Sequence, residues 1–360
     1  MLTRYQNSEH GRTKLADIYT NDEHGITRNK IGSEALSVTH RISRSGRKAY
    51  IVGGAVRDLL VGKAPKDFDI ATDALPSEVR RLFRRSRIIG KRFQLVHVYV
   101  HDKILEVSTF RATPEGEVGR DSTNIFGTLA EDVRRRDFTM NSLYYDPTKE
   151  HIVDFIGGFD DIKMRRLKLL KPAEESFSED PVRMIRALRY SSTTGFPVPQ
   201  KIGRAVRRLS SLLSETPDSR LTEELFKILG CGASTQFFAY AREFELLGTL
   251  MPTLEERLND RLEKSLLSRL SEIDRMVVAR GLDDKSMMIE ALCEPFIDDA
   301  PLVDLDPDMY GKELFRECKR IVAPLTPPNA LVDKAVRAIM NARGISGPKK
   351  RRRKRKGIGR

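Results

Sequence analysis

Residues 49–72 read AYIVGGAVRDLLVGKAPKDFDIAT, and the fold turns on this stretch. AYIV is a short apolar run of the kind that makes a buried strand. Gly53-Gly54 follows as a turn, AVRDLLVG as a short helix stopped by Gly62, and DFDIAT as a second strand. So tight an alternation predicts a mixed sheet with helices packed on it. Outward from here, Ile31, Ala35, Val38 and Ile42 recur at helical spacing, giving a helix from Ile31 to about Ser45 with Gly46 as its stop. Pro76 to Arg84 reads as a further helix, and RFQLVHVYV with ILEVSTF as a hairpin across His101-Asp102-Lys103. The mixed region closes near Gly157-Gly158. Beyond it MRRLKLL, DPVRMIRALRY, KIGRAVRRLSSLL and LTEELFKIL are all helical, and helical patterns continue to Met340 without a strand series. Residues 1–30 are polar and lack periodicity, which predicts a loosely ordered arm. The expected fold class is α+β, a mixed-sheet head followed by an all-helical remainder.

The chain has 360 residues and a formal net charge of +13. Nine Lys/Arg and no acid lie in residues 349–360, so removing them leaves +4 for the rest. The tail PKKRRRKRKGIGR repels itself and is expected to be disordered until it meets an anion. Charge alone does not choose among nucleic acid, acidic protein and anionic membrane. With no Trp and 7% aromatics, the composition argues against a lectin-like or aromatic-cage binder. Cys231, Cys293 and Cys318 form no CxxC pair and are odd in number, so neither a disulfide framework nor a zinc knuckle is supported. The N-terminus has no apolar signal core and no apolar run is long enough to span a bilayer. A cytoplasmic protein without membrane segments is expected.

Two carboxylates at i and i+2, Asp67 and Asp69, point to one face of a strand. They would repel unless a cation lay between them, and oxygen ligands of this kind suit Mg²⁺. The glycines Gly53 and Gly54 let backbone N–H groups approach a triphosphate at the start of a helix. A lone DxD is usually a solvated turn or a cap. Here the glycines follow an apolar strand, Arg57 lies on the helix behind them, and DFD opens the next strand. The context therefore favours a metal and phosphate site.

VGGAVRDLLVGKAPKDFDIAT resembles the signature of the class II tRNA nucleotidyltransferase and bacterial poly(A) polymerase family. LEVSTFR at 105–111, EDVRRRDFTMNSL at 131–143, VDFIGGFDDI at 153–162 and SEDPVRMIRALRY at 178–190 follow in that family's order. The resemblance runs from about residue 24 to about residue 250. It implies a polymerase-beta-like head and helical neck, body and tail regions. The boundaries implied are an arm at 1–30, the nucleotidyltransferase head at 31–160, a neck with a nucleotide-reading helix at 161–225, an RNA-binding body and tail at 226–345, and the basic tail at 346–360. It also implies two Mg²⁺ ions on Asp67 and Asp69, one activating an RNA 3′-hydroxyl and the other binding the triphosphate. Phosphate binding falls on Gly54 and Arg57, with Gly53 beside them. Arg136 and Asp137 would act at the ribose and reacting phosphate, and Arg111 would join the nucleotide-binding set. Glu106 shares a strand face with Ile104 and Ser108, and is either a third acid beside the metals or a solvent-facing carboxylate.

Asp180 and Arg183 stand three apart at a helix start, with Ser178 as the expected N-cap and Pro181 in the first turn. On one face, an acceptor and a donor can read a base edge without a template. The bland alternative is a surface salt bridge. Arg186, one turn on, would serve the phosphates or base. No histidine lies beyond His151, so the helical half holds no His-Asp phosphohydrolase site, and His97 reads as a pairing residue on its strand. Residues 88–98, IIGKRFQLVHV, resemble the stretch that marks the family's poly(A) polymerases, since CCA-adding relatives usually carry glycine where this chain has Gln94. The expected activity is addition of AMP from ATP to RNA 3′ ends. The alternatives are CCA addition to tRNA and a catalytically inactive RNA-binding module. The tail cations Lys349, Lys350, Arg351, Arg352, Arg353, Lys354, Arg355 and Lys356 are expected to grip RNA phosphates.

Overall fold

A computed structural model describes residues 2–8, 11–90, 94–112, 125–298 and 305–345. The expected RNA-gripping run Lys349–Lys356 lies outside the described residues. The chain divides into two compact units, one of residues 1–176 with 194–199, the other of residues 177–193 and from 200 onward. Among the described residues no helix is long and apolar enough to cross a membrane.

The first unit is built on a nine-stranded sheet of order β1-β2-β9-β8-β3-β4-β7-β6-β5. The strands are β1 Leu2–Ser8, β2 Gly11–Tyr19, β3 Ala49–Val52, β4 Asp69–Thr72, β5 Ser86–Ile89, β6 Leu95–Val100, β7 Lys103–Thr109, β8 Tyr144–Asp146 and β9 His151–Asp154. Every pairing is antiparallel except β4 with β7, so the sheet is mixed as expected. The helices of this unit are α1 Asn21–His24, α2 Ser33–Arg44, α3 Gly54–Leu60, α4 Pro76–Leu82, α5 Leu129–Arg134, α6 Gly158–Lys163 and the start of α7 Ala173–Glu179. Ala35, Val38 and Ile42 of α2 are buried, which accounts for their helical spacing. On the sheet face that carries Tyr50, Val52, Ala71, Tyr144 and Val153, an apolar cluster forms with Val133 and Leu129 of α5.

The expected loose arm at residues 1–30 is corrected. β2 pairs with β9 through Asp17–Asp154, Ile18–Val153 and Tyr19–Ile152, and Ala16, Ile18 and Tyr19 are buried. The buried alternation is too brief to stand out from the polar residues around it, and its partner strand lies more than a hundred residues away in sequence. The sheet-bearing unit thus begins before residue 31 and runs past residue 160.

The second unit is helical. It holds α8 Val182–Thr194, α9 Gln200–Leu209, α10 Asp218–Leu229, α11 Ser234–Glu243, α12 Leu247–Leu250, α13 Pro252–Arg257, α14 Asp260–Arg280, α15 Lys285–Cys293, α16 Pro307–Ile321 and α17 Asn329–Ala342. Asp274 of α14 caps α11, accepting from the backbone N–H and hydroxyl of both Ser234 and Thr235 at 2.7–2.9 Å. The first four N–H groups of a helix lack intrahelical partners, so this one carboxylate fixes the start of α11.

The VDFIGGFDDI segment positions the loop after α5. Asp154 accepts from the N–H groups of Ile156, Gly157 and Phe159 at 2.9–3.0 Å and so shapes the turn into α6. Gly157 takes φ +81°, and Gly158 packs so closely that a Cβ would lie 2.2 Å from the carbonyl oxygen of Thr139. Thr139–Asn141 form a 3-10 turn, and Gly158 is what lets α6 lie against it. Gly158→Ala should therefore cost about 1–3 kcal/mol through overpacking against backbone and displace Asn141. A lowered Tm in thermal unfolding checks it, and an unchanged Tm would show that the turn moves freely.

Candidate active site

The strand register sets Asp69 beside Glu106, while the expectation that Asp67 shares a strand face with Asp69 is corrected: β4 begins only at Asp69, and Asp67 lies in the loop before it. Val52 pairs with Asp69 across β3 and β4, so Asp69 stands beside the Gly53–Gly54 turn that follows Val52. Ile70 pairs with Val107 on β7, which sets Glu106 next to Asp69. Glu106 pairs in turn with His97 of β6, and on the other side Val52 pairs with Tyr144 of β8. Cross-strand neighbours share a sheet face. Part of that face is apolar and packed with α5; beyond it Asp69 and Glu106 stand side by side, with His97 next in the row. Asp67, Asp69 and Glu106 are all exposed.

Asp69 carries the electrostatic signature of the site. Its pKa is pushed up to about 6, first by loss of solvation in its recess, then by the negative charge of Glu106, and less by that of Asp67, with Arg136 opposing. Protein packed around the group removes enough water to disfavour the anion although the residue is exposed. Among the described residues no three His, Cys, Asp or Glu side chains gather tightly enough to form a ready metal cluster. Mg²⁺ is commonly held by one or two carboxylates, completed by water and substrate phosphates, so an Asp67–Asp69 pair fits such an ion. The strain of like charges on Asp69 is what a cation would relieve.

Two guanidinium groups back the glycine turn. Gly53 takes φ +69°, and a Cβ there would lie 3.5 Å from Nη1 of Arg136; a Cβ on Gly54 would lie 3.5 Å from Nη2 of Arg57. Arg57 is buried and donates from Nη1 to Asn141 Oδ1 at 2.8 Å and from Nε to Asp58 Oδ1 at 2.9 Å. Asn141 donates to Asp137 Oδ1 at 3.3 Å, and that oxygen also accepts from the N–H of Phe138 at 2.8 Å. Asp137 is therefore buried behind the turn, braced against Asn141, rather than exposed beside Asp67 and Asp69.

Arg136 is held by a second network. It donates from Nε to the Tyr144 hydroxyl at 2.8 Å, from Nη2 to Asp132 Oδ2 at 3.1 Å and from Nη1 to the Asn141 carbonyl at 3.2 Å, and it lies 5.0 Å over the Tyr144 ring. Asp132 also accepts from Tyr144, from Arg135 and from the N–H of Arg111. Burial alone would raise the Asp132 carboxyl, but Arg136 and Arg135 outweigh it and hold the group below the usual carboxylate range. Burial likewise pulls Arg136 down, and Tyr144 and Asp132 overturn that pull. Arg111 donates from Nη2 to the carbonyl of Gln94 at 3.1 Å, and burial together with Arg135 lowers its pKa.

Asn141, Asp132 and Tyr144 escape a reading of single residues. For Asp132 there was a signal: in EDVRRRDF it stands three and four residues before Arg135 and Arg136, the spacing of helix-face ion pairs. Asn141 has none, because its partners lie 84 and 4 residues away.

In the second unit the helix start is corrected. Ser178 lies inside α7, and Asp180 caps α8, accepting from the N–H of Val182 at 3.2 Å. Pro181 separates the two helices, which is why a single helix from Ser178 does not form. Asp180 also accepts from Arg220 at 2.7 Å, Arg183 donates to Glu179 at 3.1 Å, and Arg186 donates to the Tyr190 hydroxyl at 2.9 Å. Val182, Ile185 and Leu188 are buried, as expected.

Residues 49–168 match the poly A polymerase head domain, and residues 195–258 match the probable RNA and SrmB-binding site of polymerase A. Poly(A) polymerase I of Escherichia coli is 40% identical over 249 residues, covering 66% of this chain and 54% of that protein. The CCA-adding enzyme of Geobacillus kaustophilus is 39% identical over 198 residues, covering 54% of this chain and 49% of that protein. Among solved structures, the Bacillus stearothermophilus CCA-adding enzyme in complex with CTP aligns with a TM-score of 0.56 at 28% identity, covering 86% of this chain and 82% of that one. The chain spans about half the length of the first two relatives. On this head, these ordered motifs and these relatives, the chain belongs to the family of poly(A) polymerases and CCA-adding enzymes.

Proposed function

We propose that the protein adds AMP from ATP to RNA 3′ ends without a template, releasing pyrophosphate. The observation that carries this reading is the acidic pair of Asp69 and Glu106, with Asp67 two residues from Asp69, set beside the Gly53–Gly54 turn. Asp67 and Asp69 would hold two Mg²⁺ ions, whose chemistry is to neutralise the triphosphate and lower the pKa of the attacking hydroxyl. The turn offers backbone N–H groups to the phosphates, and Arg57 and Arg136 behind it place two fixed cations where negative charge develops. Asp137, through Asn141, keeps the Arg57 guanidinium in place. Asp180 and Arg183 would read the base edge; each is pinned by an ion pair, to Arg220 and Glu179, so acceptor and donor are presented in fixed directions.

Polyadenylation is favoured over CCA addition by the match of residues 195–258 to a domain described for polymerase A, and by IIGKRFQLVHV at 88–98. Incubation with labelled ATP, Mg²⁺ and a tRNA lacking its 3′ end separates the readings. A long A ladder supports the proposal, a stop after three nucleotides in the presence of CTP identifies a CCA-adding enzyme, and no extension rejects both.

Asp69→Asn removes one charge and keeps the shape, so extension should fall by roughly 10²–10³-fold with little change in Tm. Extension at the wild-type rate would place the chemistry elsewhere. Asn141→Ala frees one donor of Arg57 and should lower transfer by about 10–100-fold, the usual cost of losing a supporting hydrogen bond behind a reactive site. The rate at saturating ATP is the quantity to follow; an unaltered rate would mean that Arg57 holds its place without Asn141. Deleting residues 349–360 removes nine cations. The slope of log affinity for RNA against log salt should become shallower, because fewer counterions are released. Identical slopes for the two chains would assign the tail no phosphate contacts.

A further inference from the structure

We infer that His97 is a positioning residue for Glu106, restricting where that carboxylate sits on the sheet face it shares with Asp69 and so setting the affinity of the site for a divalent cation. The inference rests on the reading of Asp67 and Asp69 as cation-binding acids. His97 and Glu106 are direct cross-strand partners, and Nε2 of the imidazole lies 3.5 Å from Oε1 of the carboxylate. The His97 side chain is 24% exposed and that of Glu106 54%, so the imidazole is the more tightly packed of the two. A glutamate at an exposed strand position has three side-chain torsions to spend, and most of its rotamers lead away from a neighbouring strand. An adjacent, better-packed ring with a nitrogen toward the carboxylate removes part of that freedom. The register makes the consequence specific: Glu106 has His97 on one side and Asp69 on the other. Its charge already falls on Asp69, where it contributes to the raised pKa. On the far side of His97 the next strand presents Arg87, which is exposed. Nothing in the proposed chemistry otherwise uses His97, which the sequence alone presents as a pairing residue.

The test is Mn²⁺ binding to the full chain without nucleotide, followed by the electron paramagnetic resonance of the free ion. Wild type should show a site that Asp69→Asn abolishes. His97→Ala should weaken that site about three- to tenfold, the scale of releasing one glutamate side chain. His97→Gln, which retains a donor near the same point, should recover most of the loss. In a Glu106→Gln background His97→Ala should have no further effect, because its influence passes through that carboxylate. Should the alanine variant fail to fold, His97→Thr replaces it at this strand position. Binding within twofold of wild type overturns the inference, as does an equal effect of His97→Ala with and without Glu106. If wild type shows no Asp69-dependent Mn²⁺ site, the cation reading itself falls and the inference falls with it.

Discussion

The arrangement of the first unit depends on one buried carboxylate. Asp132 is 1% exposed and gathers Arg135, Arg136, the Tyr144 hydroxyl and the backbone of Arg111. Asp132 itself lies on α5, and those partners come from the segment after that helix, from β8 and from the chain just past β7. A carboxylate taken this far from water is tolerable only if its oxygens are fully bonded. Removing one partner of such a pair commonly costs about 3–5 kcal/mol, since the other charge is left buried. The same bonds hold Arg136 behind Gly53. The cation that faces the candidate phosphate site is thus placed by the core, not by the surface.

How much of this was legible beforehand differs from residue to residue. The order strand, glycine turn, helix and strand within residues 49–72 read correctly because each piece carries its own local signal, although the second strand starts at Asp69 and not at Asp67. The α2 stripe and the β6–β7 hairpin were legible for the same reason. The N-terminal hairpin was not, because β2 is a strand only by virtue of β9. Asp67 and Asp69 are candidates by their spacing and Glu106 by one of two readings; the β4–β7 register is what places Glu106 beside Asp69. Asp137 shows the limit of a motif: its letters mark the right neighbourhood, while its carboxylate turns inward to Asn141. Ser178 shows another. A serine three residues before a proline at a helix start reads as a cap, but Asp180 is closer to the helix and takes the N–H of Val182.

The two glycine pairs of the head do different physical work. Gly53–Gly54 keeps side chains out of the space in front of Arg136 and Arg57. In Gly157–Gly158, the first glycine supplies a left-handed φ of +81° and the second keeps side chains out of the space between α6 and the turn that carries Asn141. The second pair lies far along the chain from the first, yet it governs the same site, because Asn141 is what Arg57 grips. Two motifs that read as separate family signatures are therefore two sides of one support.

The acidic part of the sheet face is the hardest feature to explain as packing. Tyr50, Val52, Ala71, Tyr144 and Val153 fill their part of that face with apolar surface, as a sheet under a helix should. Asp69 and Glu106 lie on the exposed part of that face, where the negative charge of Glu106 helps to raise the pKa of Asp69. Like charges set side by side lower stability, and burial makes the cost larger. Like charges held side by side with a shifted carboxyl among them mark a candidate functional site. On the reading proposed above, a bound cation would offset that repulsion, and the free energy of binding it would add to the stability of the fold.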